Sequence, residues 1–329
     1  MASGDPATPV FNDNSLAHLP VSVFSIVMGS AGLTLAMHRF EQVHGLSGWV
    51  STILCTLTLL VLGALVVLFA RKALVHPQAA QQEWRHPVRL SFFPAISIGM
   101  ILSATALLPH LPSLAHALWL VGVVAQGTLA MLVVTTWINE ARFEHQHLNP
   151  AWFIPAVGNV VVPIGGVQLG YVEVSWLFWS FGVLMWLVLL TVVINRLIIH
   201  QPLPERLLPT LCILIAPPAA ALIAYIRLTE GIDPFARFLF ANALAFAVLV
   251  ALQLPKLVRL PFSLAWWAYS FPLAALAVSA SLMAEHTEFT FYAGLADGLT
   301  VILTLLVVGL AMRTIEAARQ GALTRPDAG

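Results

Sequence analysis

The sequence predicts an all-α integral membrane protein of ten transmembrane helices arranged as five helical hairpins. Kinked odd-numbered helices form an inner ring around a pore, and even-numbered helices form an outer ring. Three observations carry this prediction. Lys and Arg number 15 and Asp and Glu 15, so 30 of 329 residues, or 9%, are charged, against about 25% in an ordinary soluble domain. Hydrophobic residues make up 59% of the chain and the mean hydropathy is +0.89, which water does not tolerate on a folded surface but lipid does. Prolines, finally, fall in every second apolar run. Disorder, nucleic-acid binding and a secreted disulfide scaffold are excluded. The zero formal net charge points to no polyanionic partner.

Apolar runs of about 20 residues are the unit that spans a bilayer. Ten are legible, at roughly 20–38, 48–70, 90–108, 114–138, 152–170, 174–195, 209–226, 234–254, 263–284 and 289–312. Tight hairpin turns are implied at Tyr171–Val174 and Glu285–Glu288. Residues 1–19 form a polar segment without Lys or Arg, unlike a cleavable signal peptide; 20–312 is the membrane domain and 313–329 a tail. Cys55 and Cys212 both lie in apolar runs and give no disulfide framework. Twelve basic residues fall on one side of this topology, against only Arg39, Arg227 and Arg237 on the other. The positive-inside rule therefore predicts that both termini are cytoplasmic, in a bacterial inner membrane.

Span three contains Pro94, span five Pro155 and Pro163, span seven Pro217 and Pro218, and span nine Pro272, while even spans have no interior proline. Span one carries Gly29 and Gly32 at a comparable depth. Odd spans begin about every 60 residues, a weak hairpin repeat of the kind found in transport proteins. A proline frees the carbonyl four residues back, that of Ala268 for Pro272 and Ile213 for Pro217, and such a group is tolerated only beside protein, water or a cavity. This alternation predicts the inner ring.

Only Asp297, in span ten, is a charged residue well inside a predicted span. Ion-coupled transporters keep ionisable groups near the midplane, so uncharged odd spans predict a passive, neutral pore. Asp297 is a candidate proton site or a residue that solvates the end of its helix. Candidate pore-lining polar residues are Ser22, Ser25, Ser97, Asn159, Ser270 and Ser279. The stretch Glu140–His147 has the composition of a metal cluster but reads as a solvated loop, and Arg85–Arg89 reads as a headgroup anchor. No phosphate loop, nucleophile elbow or HExxH is present, so neither an enzyme, a metal site nor a cofactor is expected.

Met28–Leu33, His86–Phe92, Pro155–Val157, Ala216–Pro217 and Trp267–Pro272, five short motifs in order between Pro20 and Arg319, resemble the tellurite-resistance/dicarboxylate transporter family. That family includes bacterial TehA, fungal malate permeases and sulfite pumps, and plant slow-type anion channels. The resemblance implies ten helices in five hairpins, a homotrimer, small inorganic or organic anions as substrates, and a pore plugged by a phenylalanine of the ninth helix, here Phe271. Two departures bear on kink geometry: Val27 stands where the family's first-span motif often has proline, and Pro272 follows the gating position where TehA has glycine. The predicted function is a passive anion channel. The alternatives are a proton-coupled carrier or exporter of C4-dicarboxylate, sulfite or tellurite oxyanions, and a membrane scaffold or sensor without transport.

Overall fold

The computed structural model describes residues 16–287, 289–321 and 323; residues 1–15, Glu288, Ala322 and 324–329 lie outside them. Nine helices among the described residues are long and apolar enough to cross a membrane: α1 (Val21–Val43), α2 (Trp49–Val75), α3 (Arg89–Leu107), α4 (Pro112–Asn139), α6 (Val172–Ile199), α7 (Glu205–Thr229), α8 (Pro234–Ala251), α9 (Leu264–His286) and α10 (Phe291–Arg319). The fifth predicted span is a run of short helical pieces, Pro150–Gly166, here α5. Pro155, Pro163 and the pair Gly165–Gly166 keep any one piece from extending. No strand occurs among the described residues. Helix α10 runs to Arg319, seven residues past the predicted end of the membrane domain at 312.

Each odd helix starts with a 3₁₀ segment and continues as α-helix. The 3₁₀ pieces are Val21–Phe24, Arg89–Phe92, Pro150–Trp152, Glu205–Leu214 and Leu264–Tyr269. Pro94 is the first residue of its α segment, Pro163 and Pro217 the second, and Pro272 the third. The interruption thus differs from the mid-helix kink the sequence suggested. Proline costs nothing in a first helical turn, where its missing N–H has no intrahelical acceptor, and its fixed φ favours the start of an α-helix. The carbonyls of Ile213 and Ala268 lie in the 3₁₀ lead-ins. Helix α1 makes the same change at Ser25 with Val27 in the third place, so the junction forms there without proline.

Burial separates two rings. Between 61% and 83% of the apolar window is buried in α1, α3, α7 and α9, against 22–33% in α2, α4, α6, α8 and α10. Contacts close the inner ring in the order α1–α3–α5–α7–α9–α1. Each even helix packs outside its own hairpin partner and a neighbour, turning residues such as Leu60, Val67, Val124 and Leu177 outward, as lipid contact requires.

The repeat is visible in the outer helices too. Trp119 and Trp179 stand 60 residues apart, and each begins a Trp-x-x-Gly sequence ending at Gly122 and Gly182. Trp119 Nε1 donates to the Val162 carbonyl at 3.2 Å and Trp179 Nε1 to the Ala221 carbonyl at 3.0 Å. Each indole stacks on a tyrosine, Tyr171 or Tyr225, at 5.0 and 5.3 Å. A side chain on either glycine would collide with the inner helix, 2.8 Å from Ile101 Cγ1 at Gly122 and 2.6 Å from Val160 Cγ1 at Gly182. Glycine lets the two rings touch, and the indole donor fixes their register.

Charges gather at the two ends. At the end where α1 begins and α10 finishes, Lys72 Nζ donates to Glu83 Oε2 at 2.8 Å and to the Leu19 carbonyl at 2.7 Å. The Val21 N–H donates to Glu83 Oε1 at 3.2 Å, and Arg89 stands 3.7 Å from the same oxygen. This buried cluster ties the starts of α1 and α3 to the end of α2 and to the connecting helix Pro77–Arg85. At the opposite, distal end the buried Glu41 carboxylate accepts the N–H groups of Val50 and Ser51, so the end of α1 caps the start of α2 and closes the first hairpin.

Candidate functional site: the axis of the inner ring

All five odd helices converge on one small cavity. Its lining includes Met28 from α1, Ile98 from α3, Phe153 and Val157 from α5, Pro217 from α7 and Phe271 from α9. The remaining lining residues are Ile154, Gly158, Val160, Val161, Ile213, Ala216 and Ala220. No polar side chain is among the thirteen. The volume is ≈ 40 Å³, against about 10–15 Å³ for a single water on the same measure, so the space is too small for a hydrated ion, and its apolar wall offers water no partner.

The 3₁₀ lead-in sets how far along α9 Phe271 stands. Six residues, Leu264–Tyr269, precede the α segment, and at about 2.0 Å each plus two α residues at about 1.5 Å they advance the chain roughly 15 Å.

Glycines bring α1 and α9 together beside Phe271. A side chain at Gly29 would stand 2.1 Å from Ser270 Oγ and 2.9 Å from Trp267 Cε3, and one at Gly32 2.8 Å from Ala274 Cβ. These two glycines serve the contact between inner helices and are not part of the cavity wall.

The polar residues predicted for the wall are placed elsewhere. Ser97 Oγ is bonded to the Pro94 carbonyl at 2.9 Å and to Gln126 Oε1 at 2.7 Å. Ser270 Oγ donates to the Trp267 carbonyl at 2.6 Å and Ser279 Oγ to that of Leu276 at 2.9 Å. Ser22 and Ser25 are not among the lining residues. Asn159 Nδ2 donates to the carbonyls of Ala156 at 2.7 Å and Pro155 at 3.3 Å, and Gln126 Nε2 to that of Pro155 at 3.2 Å. Carbonyls left open where α5 is broken are therefore closed by side-chain amides, and of these Gln126 had escaped notice in the sequence. A serine bonded to a carbonyl three or four residues back has no need of water, which is why polarity was a poor guide to the lumen. Of the interrupting prolines, Pro217 lines the cavity, whereas Pro94, Pro155, Pro163, Pro218 and Pro272 are buried outside the lining.

Asp297 lies on α10, half exposed, with its Oδ1 3.0 Å from His44 Nε2. It belongs to the outer ring and stands away from the cavity. In the loop after α4, the Glu144 N–H donates to His147 Nδ1 at 3.1 Å and Gln146 to Glu144 at 2.7 Å, and Arg142 donates to the Arg85 carbonyl. No group of three His, Cys, Asp or Glu side chains suited to a metal occurs among the described residues.

The sequence that builds this axis matches a family model over most of its length. The family model described as voltage-dependent anion channel, SLAC1, covers residues 18–315. The chain belongs to the SLAC1 family. Similar proteins include the uncharacterized transporter MJ0762 of Methanocaldococcus jannaschii, 26% identical over 326 residues, 92% of this chain and 95% of that protein. The tellurite resistance protein TehA homolog of Haemophilus influenzae is 26% identical over 296 residues, 87% of this chain and 90% of its own. The S-type anion channel SLAH3 of Arabidopsis thaliana is 25% identical over 307 residues, 91% of this chain but 48% of the plant protein. SLAC1-family proteins are anion channels and transporters, not enzymes, and the chain is a multi-pass membrane protein of that group.

Proposed function

We propose that this chain is a passive anion channel whose pathway follows the axis of the inner ring and is shut by Phe271. The observation that carries the proposal is the cavity to which all five odd helices contribute, with Phe271 in its wall and no charged side chain around it. A neutral, apolar constriction gates by excluding water, and it passes ions only when its largest side chain moves aside. Fixed charge confined to the helix ends gives an anion no tight binding site along the way, so passage should follow dehydration cost, with nitrate favoured over chloride.

The protein acts as a homotrimer in a bacterial inner membrane with both termini in the cytoplasm, as the resemblance and the placement of twelve of its 15 basic residues support. Phe271→Ala tests the gate in planar bilayers. Unitary conductance is expected to rise several-fold, and a folded variant with unchanged conductance rules the assignment out.

A further inference from the structure

The loop after α4 and the residue that follows α6 bring two histidines face to face. The rings of His145 and His200 stand 4.8 Å apart between centres and are tilted by 39°. Both residues are exposed, and apart from this contact neither imidazole has a hydrogen-bond or ion-pair partner among the described residues. The stretch Glu140–His147 thus supplies one histidine and the end of α6 the other, a pairing that sequence order hides. Their backbones are fixed by the side chain between them. Arg196, on α6 one turn before His200 and buried, donates through Nε to the His145 carbonyl at 2.9 Å and through Nη1 to the Gln201 carbonyl. The His147 carbonyl closes the same loop, accepting from Asn149 Nδ2 at 2.8 Å and Trp152 Nε1 at 3.0 Å. Only side-chain torsions remain free at the pair, so a ligand has little ordering to impose.

The spacing is that of two ligands on one metal ion. Imidazole nitrogen binds zinc at about 2.0–2.1 Å, which puts the ion roughly 3.2 Å from the centre of each ring. Two such rings stand about 4.5 Å apart at a square-planar angle and about 5.2 Å apart at a tetrahedral one. The observed 4.8 Å falls between them. We propose that His145 and His200 form a surface site for a borderline transition-metal ion of the zinc, copper(II) or nickel class, with water in the remaining positions. Magnesium and calcium, which take oxygen ligands, do not compete. Arg196 opposes a cation here, and the exposed Glu144 carboxylate next to His145 offsets it. His147 Nδ1 is no third ligand, since it accepts the Glu144 N–H at 3.1 Å. Bound metal joins the loop leading into α5 to the end of α6, and so stabilises the hairpin whose inner member is broken. The site lies apart from the cavity at the axis, so its occupancy does not depend on the channel reading.

The test is calorimetric titration of the detergent-solubilised full chain with zinc. Affinity in the micromolar range is expected, indifferent to excess magnesium and weakened on acidification, because ligation needs the neutral imidazole. His145→Asn and His200→Asn should each weaken binding by more than about tenfold, since losing a ligand costs at least as much as losing an outer-shell partner, about 10- to 100-fold. In ~100-fold excess over Kd, zinc should raise the parent's thermal midpoint by about 5 °C and leave that of the double variant unmoved. Electron paramagnetic resonance of bound copper(II) should show two nitrogen ligands in the parent and at most one in either single variant. Parent protein that takes up no zinc, or single variants that bind it as tightly as the parent, would overturn the site.

Discussion

The buried pair at the end where α1 begins makes a quantitative test of how the inner ring is anchored. The side chains of Lys72 and Glu83 are 1% and 4% exposed, and removing one partner of such a pair costs about 3–5 kcal/mol because the other charge is left buried. Lys72→Met keeps the length of the stem and takes away the ammonium. Glu83 then keeps the Val21 N–H at 3.2 Å and Arg89 at 3.7 Å, while the Leu19 carbonyl loses its 2.7 Å donor. These residual partners put the expected loss at the lower end, about 3–4 kcal/mol. Adding Glu83→Gln removes the stranded charge but preserves an acceptor for Val21, so the double variant should lose only about 1–2 kcal/mol. Thermal unfolding of detergent-solubilised protein is the assay. At about 2 °C per kcal/mol for a chain of this size, Lys72→Met should fall by roughly 6–8 °C and the double variant should recover at least half of that. A single-variant shift below about 2 °C, or a double variant whose loss equals the sum of the two singles, would refute the claim that this pair is buried and coupled.

Three further outcomes are expected. Gly29→Ala should destabilise by about 1–3 kcal/mol through overpacking against Ser270, and adding Ser270→Gly should restore part of the thermal midpoint by removing the nearest atoms; a neutral Gly29→Ala would contradict the close approach of α1 and α9. The Asp233 carboxyl, in the loop before α8, is held below its ordinary range by the Tyr225 hydroxyl, which donates at 2.6 Å, and by the Ala236 N–H at 2.9 Å. A depressed folded-state pKa contributes stability that is present above the usual carboxylate value of about 3.9 and is lost as pH falls through the lower, folded value. Tyr225→Phe should therefore raise the Asp233 midpoint toward that value, as read by carbon NMR titration, and an unmoved midpoint would assign the shift to the backbone alone. Asp297→Asn should leave anion flux and its response to a pH gradient unchanged, because Asp297 lies on α10 of the outer ring, paired with His44 just past the end of α1 and away from the cavity; abolished gradient-driven uptake would favour a proton-coupled carrier.

Helices α1–α4 and α6–α10 were legible in the sequence because bilayer thickness demands long apolar runs whatever the tertiary contacts. Helix α5 was legible as hydrophobic but not as four short pieces, since 3₁₀ and α segments share composition. The prolines marked the inner ring correctly, yet their mechanism was misread: position within a helix decides whether proline breaks it or begins it, and Pro94 and Pro217 begin theirs. Side-chain polarity misled most at the axis. Ser97, Asn159 and Ser270 satisfy themselves on nearby carbonyls or on Gln126, leaving Met28, Ile98 and Phe153 to line the cavity. The pairing of Lys72 with Glu83 was hidden because both fell in a stretch that orientation rules treat as solvated. The Trp-x-x-Gly repeat at 119 and 179 was in plain view, and it marks where the outer ring locks onto the inner one.

Reversal potential across an asymmetric salt gradient tests the central claim most directly. Phe271→Ala protein in a planar bilayer with a tenfold KCl gradient should reverse near the chloride equilibrium potential, about 59 mV from zero, with nitrate in place of chloride increasing the current. Reversal at the potassium equilibrium potential, of equal size and opposite sign, would contradict an anion pathway along this axis.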